Sequence, residues 1–265
     1  MPHPFDLNST VSSMEELSSL VSRFVTEFET GLSLKHPLNV DLLLHQRRSG
    51  LADKHIDPSR PVVVTEQDGA ETVLHLHESD LVGMPVSALQ GGLYLELAAV
   101  VLGRQIEEFQ FNFEKEILPL FNISGTALQV IRYLVFHLET IVKRVRAAQL
   151  VLDMDHGPPL CSYYYFTTSP SREESDSYEK LVPHDWTRAI FISKKCRMHA
   201  AITLLARQGI FAGLDVYWWA CHDYFLPEDR RLMEELAEIA ARFNQIGFSE
   251  QVVALFKTVK SALLV

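Results

Sequence analysis

The chain has 265 residues, 47% of them apolar and 22% charged, with a formal net charge of −10. That length buries a substantial core, in one large domain or two, without metal or disulfide staples. The acidic balance argues against a nucleic-acid backbone or an anionic membrane surface as partner, because the basic pairs Arg47-Arg48, Lys143-Arg144 and Lys194-Lys195 are short and lie beside acids.

Cys161, Cys196 and Cys221 are odd in number and far apart, without a Cys-x-x-Cys pair, which predicts reduced thiols rather than a disulfide framework or structural zinc. The N-terminus lacks the charged start and apolar run of a signal peptide. No stretch approaches the roughly 20 apolar residues of a membrane span. The expectation is a soluble, cytoplasmic protein.

Ser13-Met14-Glu15-Glu16 reads as a capping box, and Leu17, Leu20, Val21, Phe24, Val25 and Phe28 carry a helix to about Thr30, before Gly31. A shorter helix is predicted over Val40 to Arg48, then a surface connection from Ser49 to Arg60. Two runs, Pro61 to Thr65 and Glu71 to His77, flank Gln67-Asp68-Gly69-Ala70 and predict a β-hairpin with its turn at Asp-Gly. His75 and His77 share one face of the second strand.

The stretch Gly91 to Gly103 reads as a buried helix carrying a single acid, Glu96, with no local partner; such an acid must be satisfied by something distant. Ile106, Phe109, Phe113, Ile117 and Leu120 favour another helix. From Gly125 to Asp153 runs the longest helical pattern, with Leu134, Leu138, Ile141, Val145 and Leu152 as its stripe. At about 100° per residue, His137 and Glu139 fall on opposite flanks of that stripe, and Glu139 stands four residues before Lys143 in the order favoured for an exposed pair.

Asp155-His156-Gly157-Pro158-Pro159 breaks this helix, and Tyr163 to Phe166 reads as a strand or packed connector. Thr167 to Lys180 is polar and predicts a mobile loop. The remainder predicts helices over about Trp186 to Gln208, around Trp218-Trp219, over Pro227 to Gln245 and over Ser249 to Leu263. Cys221-His222-Asp223 holds residue types of nucleophilic catalysis, but adjacent helical residues point about 100° apart and cannot pair.

The sum is an α+β, helix-rich fold: an α+β portion over 1–166, a polar loop over 167–180, and a helical portion over 181–265. A hairpin, then a helix of the form Gly-Leu-Tyr-Leu-Glu-Leu-Ala-Ala, then a second long helix resembles the core of the zincin metallopeptidases, of gluzincin type. In that family the helix bears His-Glu-x-x-His, whose histidines bind zinc and whose glutamate is the general base. Here the motif falls at Leu95-Glu96-Leu97-Ala98-Ala99, and only the glutamate remains. Leu95 and Ala99 carry no lone pairs, so a zinc peptidase mechanism is excluded at this position.

The resemblance implies a degenerate, catalytically inactive member acting in binding or regulation, with no cofactor or metal expected. Vestigial site residues are Glu96 and, as its hydrogen-bonded partner, His137. The enzymatic alternative is a zinc-dependent hydrolase with nonstandard ligands: His75 and His77, with Asp80, Glu96 or His137. The non-enzymatic alternative is a helical interaction module for a protein or peptide partner, or a homodimer, using Trp186, Phe211, Tyr217, Trp218, Trp219, Tyr224 and Phe225.

Overall fold

The computed structural model describes residues 9–33, 38, 40–45, 64–68, 71–77, 81, 83–104, 109–120, 126–169, 172–210 and 213–264, with the side chains of 41–45, 64–68, 71, 72, 75, 77, 126 and 127 outside that description. Among the described residues there are ten α-helices: α1 (Met14–Gly31), α2 (Val86–Gly103), α3 (Phe113–Glu116), α4 (Thr126–Asp153), α5 (Gly157–Thr167), α6 (Arg172–Leu181), α7 (Asp185–Arg207), α8 (Leu214–Cys221), α9 (Pro227–Ala240) and α10 (Phe248–Leu263). Contacts divide the chain into two compact units. The first is Met1–Arg104 with Ala147–Thr168, the second Gln105–Arg146 with Ser169–Val265, so one boundary falls inside α4. The expected partition assigned 105–146 to the N-terminal portion; the contacts group it with the C-terminal helices.

In the first unit, Ser13 caps α1 by accepting from the Glu16 amide at 3.2 Å, while the Glu16 carboxylate turns back to the amide and hydroxyl of Ser12. Leu17, Val21, Phe24 and Phe28 form its buried stripe. The two strands of the expected hairpin pair: β2 (Val64–Asp68) runs antiparallel to β3 (Glu71–His77), with Asp68 opposite Glu71, so Asp68 belongs to the strand rather than to the turn where it was expected, and Gly69 and Ala70 lie outside the described residues. Residues 61–63 and the 49–60 connection lie outside the described residues. The helix expected over Val40 to Arg48 is corrected: Val40–His45 is a strand, β1, parallel to β3, giving the order β1-β3-β2. Its run of three leucines suits a strand as well as a short helix, and pairing along β3 decides between them.

α2 has no polar face: from Ala88 to Val100 only Gln90 and Ala99 are not buried. It is the one described helix long and apolar enough to cross a membrane by length and composition, with mean hydropathy 1.5 over 18 residues, and 61% of it is buried within the chain. Its closest partner is α5. A Cβ at Gly91 would stand 2.1 Å from the Pro159 carbonyl oxygen, so the two backbones approach as only glycine permits. The strand or connector expected at Tyr163 to Phe166 is corrected to helix α5, started by Pro158 and Pro159 in its first turn.

In the second unit, residues 106–108 of the helix expected over 106–120 lie outside the described residues, and over 109–120 it is corrected to one α-helical turn, α3, capped by Asn112, followed by a 3-10 turn at Leu118–Leu120; Pro119 lacks the amide a longer helix would use. The mobile loop expected over 167–180 is corrected as well. Arg172–Leu181 is α6, held by one apolar anchor, Tyr178, which is 1% exposed. Helices α7, α8 and α10 follow close to their expected bounds, with Gly209 at φ 70° closing α7, while α9 ends at Ala240 rather than at Gln245.

Helices hold the cores of both units, and the sheet is three short strands whose described buried side chains are Leu74 and Leu76. The expectation of an α+β fold with a zincin-like core is therefore corrected to an all-α one.

Candidate functional site

The acid around which the sequence reading turned is enclosed: Glu96 is 2% exposed on α2, between buried Leu95 and Leu97. His137 is 4% exposed on α4 and belongs to the other unit. Its ring meets Tyr133 edge-on at 4.6 Å and Phe136 at 5.4 Å. Backbone register sets His75 opposite Leu43 and Val64, and His77 opposite His45; the imidazoles of His75 and His77, and all of Asp80, lie outside the described residues. Among the described residues, no three His, Cys, Asp or Glu side chains gather as metal ligands would.

Glu139 pairs with Lys143 at 3.4 Å, as its spacing suggests, but its side chain is only 23% exposed, and burial raises its carboxyl pKa against the opposing pull of Lys143. Cys161, Cys196 and Cys221 are unpaired and buried, and burial pushes the Cys161 thiol up to about 12. Cys221-His222-Asp223 is not a catalytic pair. His222 Nδ1 lies 2.9 Å from the Trp218 carbonyl, which can only accept, so the proton sits on Nδ1.

Two polar clusters stand inside the second unit. In the first, fully buried Asp229 accepts from the Tyr178 hydroxyl, from Arg188 Nε at 2.9 Å and from Arg188 Nη2 at 2.7 Å. The Leu226 amide donates to Tyr178 Oη at 3.2 Å. This ties α6, α7 and the start of α9 together. Burial opposes the Arg188 charge, yet the hydrogen bonds and charge of Asp229 prevail and raise its pKa, while burial, with Asp229 beside it, lifts Tyr178 to about 12.

In the second cluster, His199 of α7 lies against Trp219 (4.7 Å between centroids) and Trp218 (5.8 Å), and His222 stacks on Trp218 at 3.8 Å. Both imidazoles are 3% exposed. Neither ring nitrogen of His199 has a hydrogen-bond partner among the described residues. Burial lowers His199 to about 3, with His222 adding to the shift, and burial lowers His222 to about 4. Both rings are neutral at pH 7 and enclosed, so they serve packing rather than proton transfer with a solvent-borne substrate.

No family model, curated protein or solved structure matches the chain. Nothing from outside the molecule therefore identifies a zincin-like fold.

The feature that packing leaves unexplained is on α4. Ile131, Leu134, Val135, Leu138, Ile141, Val142 and Val145 are buried along one side. Phe136 lies two residues, about 200°, from Leu134, and so faces away. Phe136 is 56% exposed and Tyr133 52% exposed, their rings nearly parallel at 12° with centroids 6.5 Å apart. Arg132 lies over the Phe113 ring at 4.9 Å and pairs with Glu114, widening this aromatic ridge toward α3. Neither Tyr133 nor Phe136 was among the residues singled out from the sequence. The available signal was phase: two large aromatics opposite the apolar stripe of an amphipathic helix.

Proposed function

We propose that this protein is a helical binding protein, acting by non-covalent engagement of a protein partner, with the Tyr133–Phe136 ridge as its contact surface. The observation that carries the reading is the exposure of two adjacent, stacked aromatic rings on the outer side of a well-packed helix. Large exposed aromatics beside an arginine are the composition of interface centres, where a few such residues supply most of the binding energy. The buried polar clusters have a supporting role: the Asp229 clasp and the stacked imidazoles hold α6 to α9. Three buried, unpaired cysteines favour a reducing compartment, the cytosol, as the place of action.

The test is the double substitution Tyr133→Ser with Phe136→Ser. Folding stability measured by urea unfolding is expected to stay within about 0.5 kcal/mol of the parent, as for surface positions. The size of the protein in gently prepared extracts of the cells that make it is expected to fall from that of a complex to that of the free chain. A loss of about 2 kcal/mol or more, the signature of core residues, or an unchanged size in extract, contradicts the reading.

A further inference from the structure

Helix α6 differs from its neighbours in how little of itself it buries. Of its ten residues, Tyr178 is the buried one, while Arg172, Glu173, Asp176, Ser177, Glu179 and Lys180 are exposed. It falls below the roughly 12–15 residues that an isolated helix needs in water, so its dock keeps it in shape. That dock is a socket built by other elements. Arg188, Phe191 and Lys195 stand at i, i+3 and i+7 on one side of α7. Tyr224 and Phe225 follow α8, and Asp229 lies in the first turn of α9. The Tyr178 ring meets Phe225 at 4.8 Å and both Phe191 and Tyr224 at 5.6 Å. Its hydroxyl donates to Asp229, and Glu174, one turn earlier on the same side of α6, pairs with Lys195.

The socket does not need α6 for its charge balance. Asp229 accepts two hydrogen bonds from Arg188, which also reaches Glu228 at 3.3 Å, and all three residues belong to α7 and α9. Withdrawal of Tyr178 therefore leaves the buried Asp229 paired, while Lys195 and Glu174 pass to water as α6 lifts. The Leu226 amide, which donates to Tyr178 Oη, is freed for a new acceptor. Tyr224 Oη is enclosed on the socket wall without a hydrogen-bond partner among the described residues while Tyr178 is in place. Residues 168–171 and 182–184 tether α6 to α5 and α7, so it can leave the socket and stay attached.

We propose that the socket on α7 and α9 is a second binding site, which takes an acidic helical segment of a partner protein bearing Glu-x-x-x-Tyr, and that α6 is its internal occupant until that segment displaces it. The ligand chemistry is read from what fills the socket in the structure. The glutamate meets Lys195, the ring enters between Phe191, Tyr224 and Phe225, and the hydroxyl donates to Asp229. This goes beyond the ridge reading and does not rest on it.

The experiment uses the full chain and fluorescein-labelled synthetic peptides that copy residues 169–184, with tyrosine, phenylalanine or alanine at position 178. In the unaltered protein, hydrogen exchange of the α6 amides is expected to run at least about 100-fold faster than that of α7 and α9, through a local opening. Tyr178→Ala is expected to keep α7 and α9 protected. It should bind the tyrosine peptide at least about 10-fold tighter than the parent, whose own α6 competes at the roughly millimolar effective concentration of a short tether. The phenylalanine peptide is expected to bind this variant about 5-fold more weakly than the tyrosine peptide, for one lost hydrogen bond. The alanine peptide should be weaker by about 30-fold or more, for a lost anchor.

Exchange of α6 in step with α7 and α9, or loss of their protection in Tyr178→Ala, makes α6 an integral part of the fold and overturns the inference. A Tyr178→Ala protein that fails to bind the tyrosine peptide, or binds it and the alanine peptide alike, overturns it as well. None of these outcomes bears on the ridge, which shares no residue with the socket.

Discussion

His199 and Asp229 show how differently two buried polar residues behave in the same unit. Asp229 has three donors from Tyr178 and Arg188, whereas the two ring nitrogens of His199 have no partner among the described residues. Removing one member of a buried ion pair leaves the other charge uncompensated, so Asp229→Ala is expected to cost about 3–5 kcal/mol in urea unfolding, and Tyr178→Phe only about 1 kcal/mol. Equal losses would contradict the assignment of Arg188 as the principal partner. His199→Leu should change stability at pH 7 by less than about 1 kcal/mol, since it deletes groups whose burial is not offset. The pH dependence follows from the sign of the shifts. His199 and His222 titrate at about 3 and about 4 when folded, against about 6.5 unfolded. The unfolded chain therefore holds more protons below pH 6.5. Stability is complete above that point and declines as pH falls toward 4 and then 3, by about 2 kcal/mol per histidine between pH 7 and pH 5. His199→Leu should remove one such share from the slope of stability against pH, and an unchanged slope would count against its burial as a neutral imidazole.

At the scale of elements, Gly91 tests the α2–α5 packing. A methyl group there meets the Pro159 backbone, which cannot swing aside as a flexible side chain could. Gly91→Ala is expected to cost about 2–3 kcal/mol of stability by thermal or urea unfolding. Gly83→Ala, at φ 87° but with open space around the added carbon, should cost only about 1–2 kcal/mol. A Gly91→Ala protein at least as stable as the Gly83→Ala one would contradict the close approach. The elements legible in the sequence were those whose signals were local: the Ser13 cap, the antiparallel pairing of β2 with β3, the long stripe of α4, and Gly209 after α7. The misread ones were decided by distant partners. Val40–His45 became a strand because β3 lies alongside it. Arg172–Leu181 was too polar to announce a core contact, and its one buried residue, Tyr178, which meets Asp229 and Phe225, holds it in place together with the Glu174–Lys195 ion pair. The α5 segment, with three tyrosines in a row, reads as β by propensity, yet it is a helix fitted against a glycine on α2.

For the whole molecule, the chain is acidic, and α2, the one helix among the described residues apolar and long enough to cross a membrane by length and composition, is 61% buried within the chain. Glu96 was legible as a buried acid from its apolar neighbours alone. The ridge was not, because aromatic residues on a helix signal a core by default, and only the phase of Tyr133 and Phe136 against the Leu134 stripe, together with their exposure, separates surface from core. The most direct test of the central claim, that the ridge is a contact surface for a partner, is a photoreactive phenylalanine analogue placed at position 136 and irradiated in living cells. Position 179, exposed on α6, serves as the control. The account predicts a discrete higher-mass adduct from position 136 and none from 179, with the 136 adduct lost when Tyr133 is also changed to serine. No adduct from position 136, or the same adduct from both positions, would contradict it.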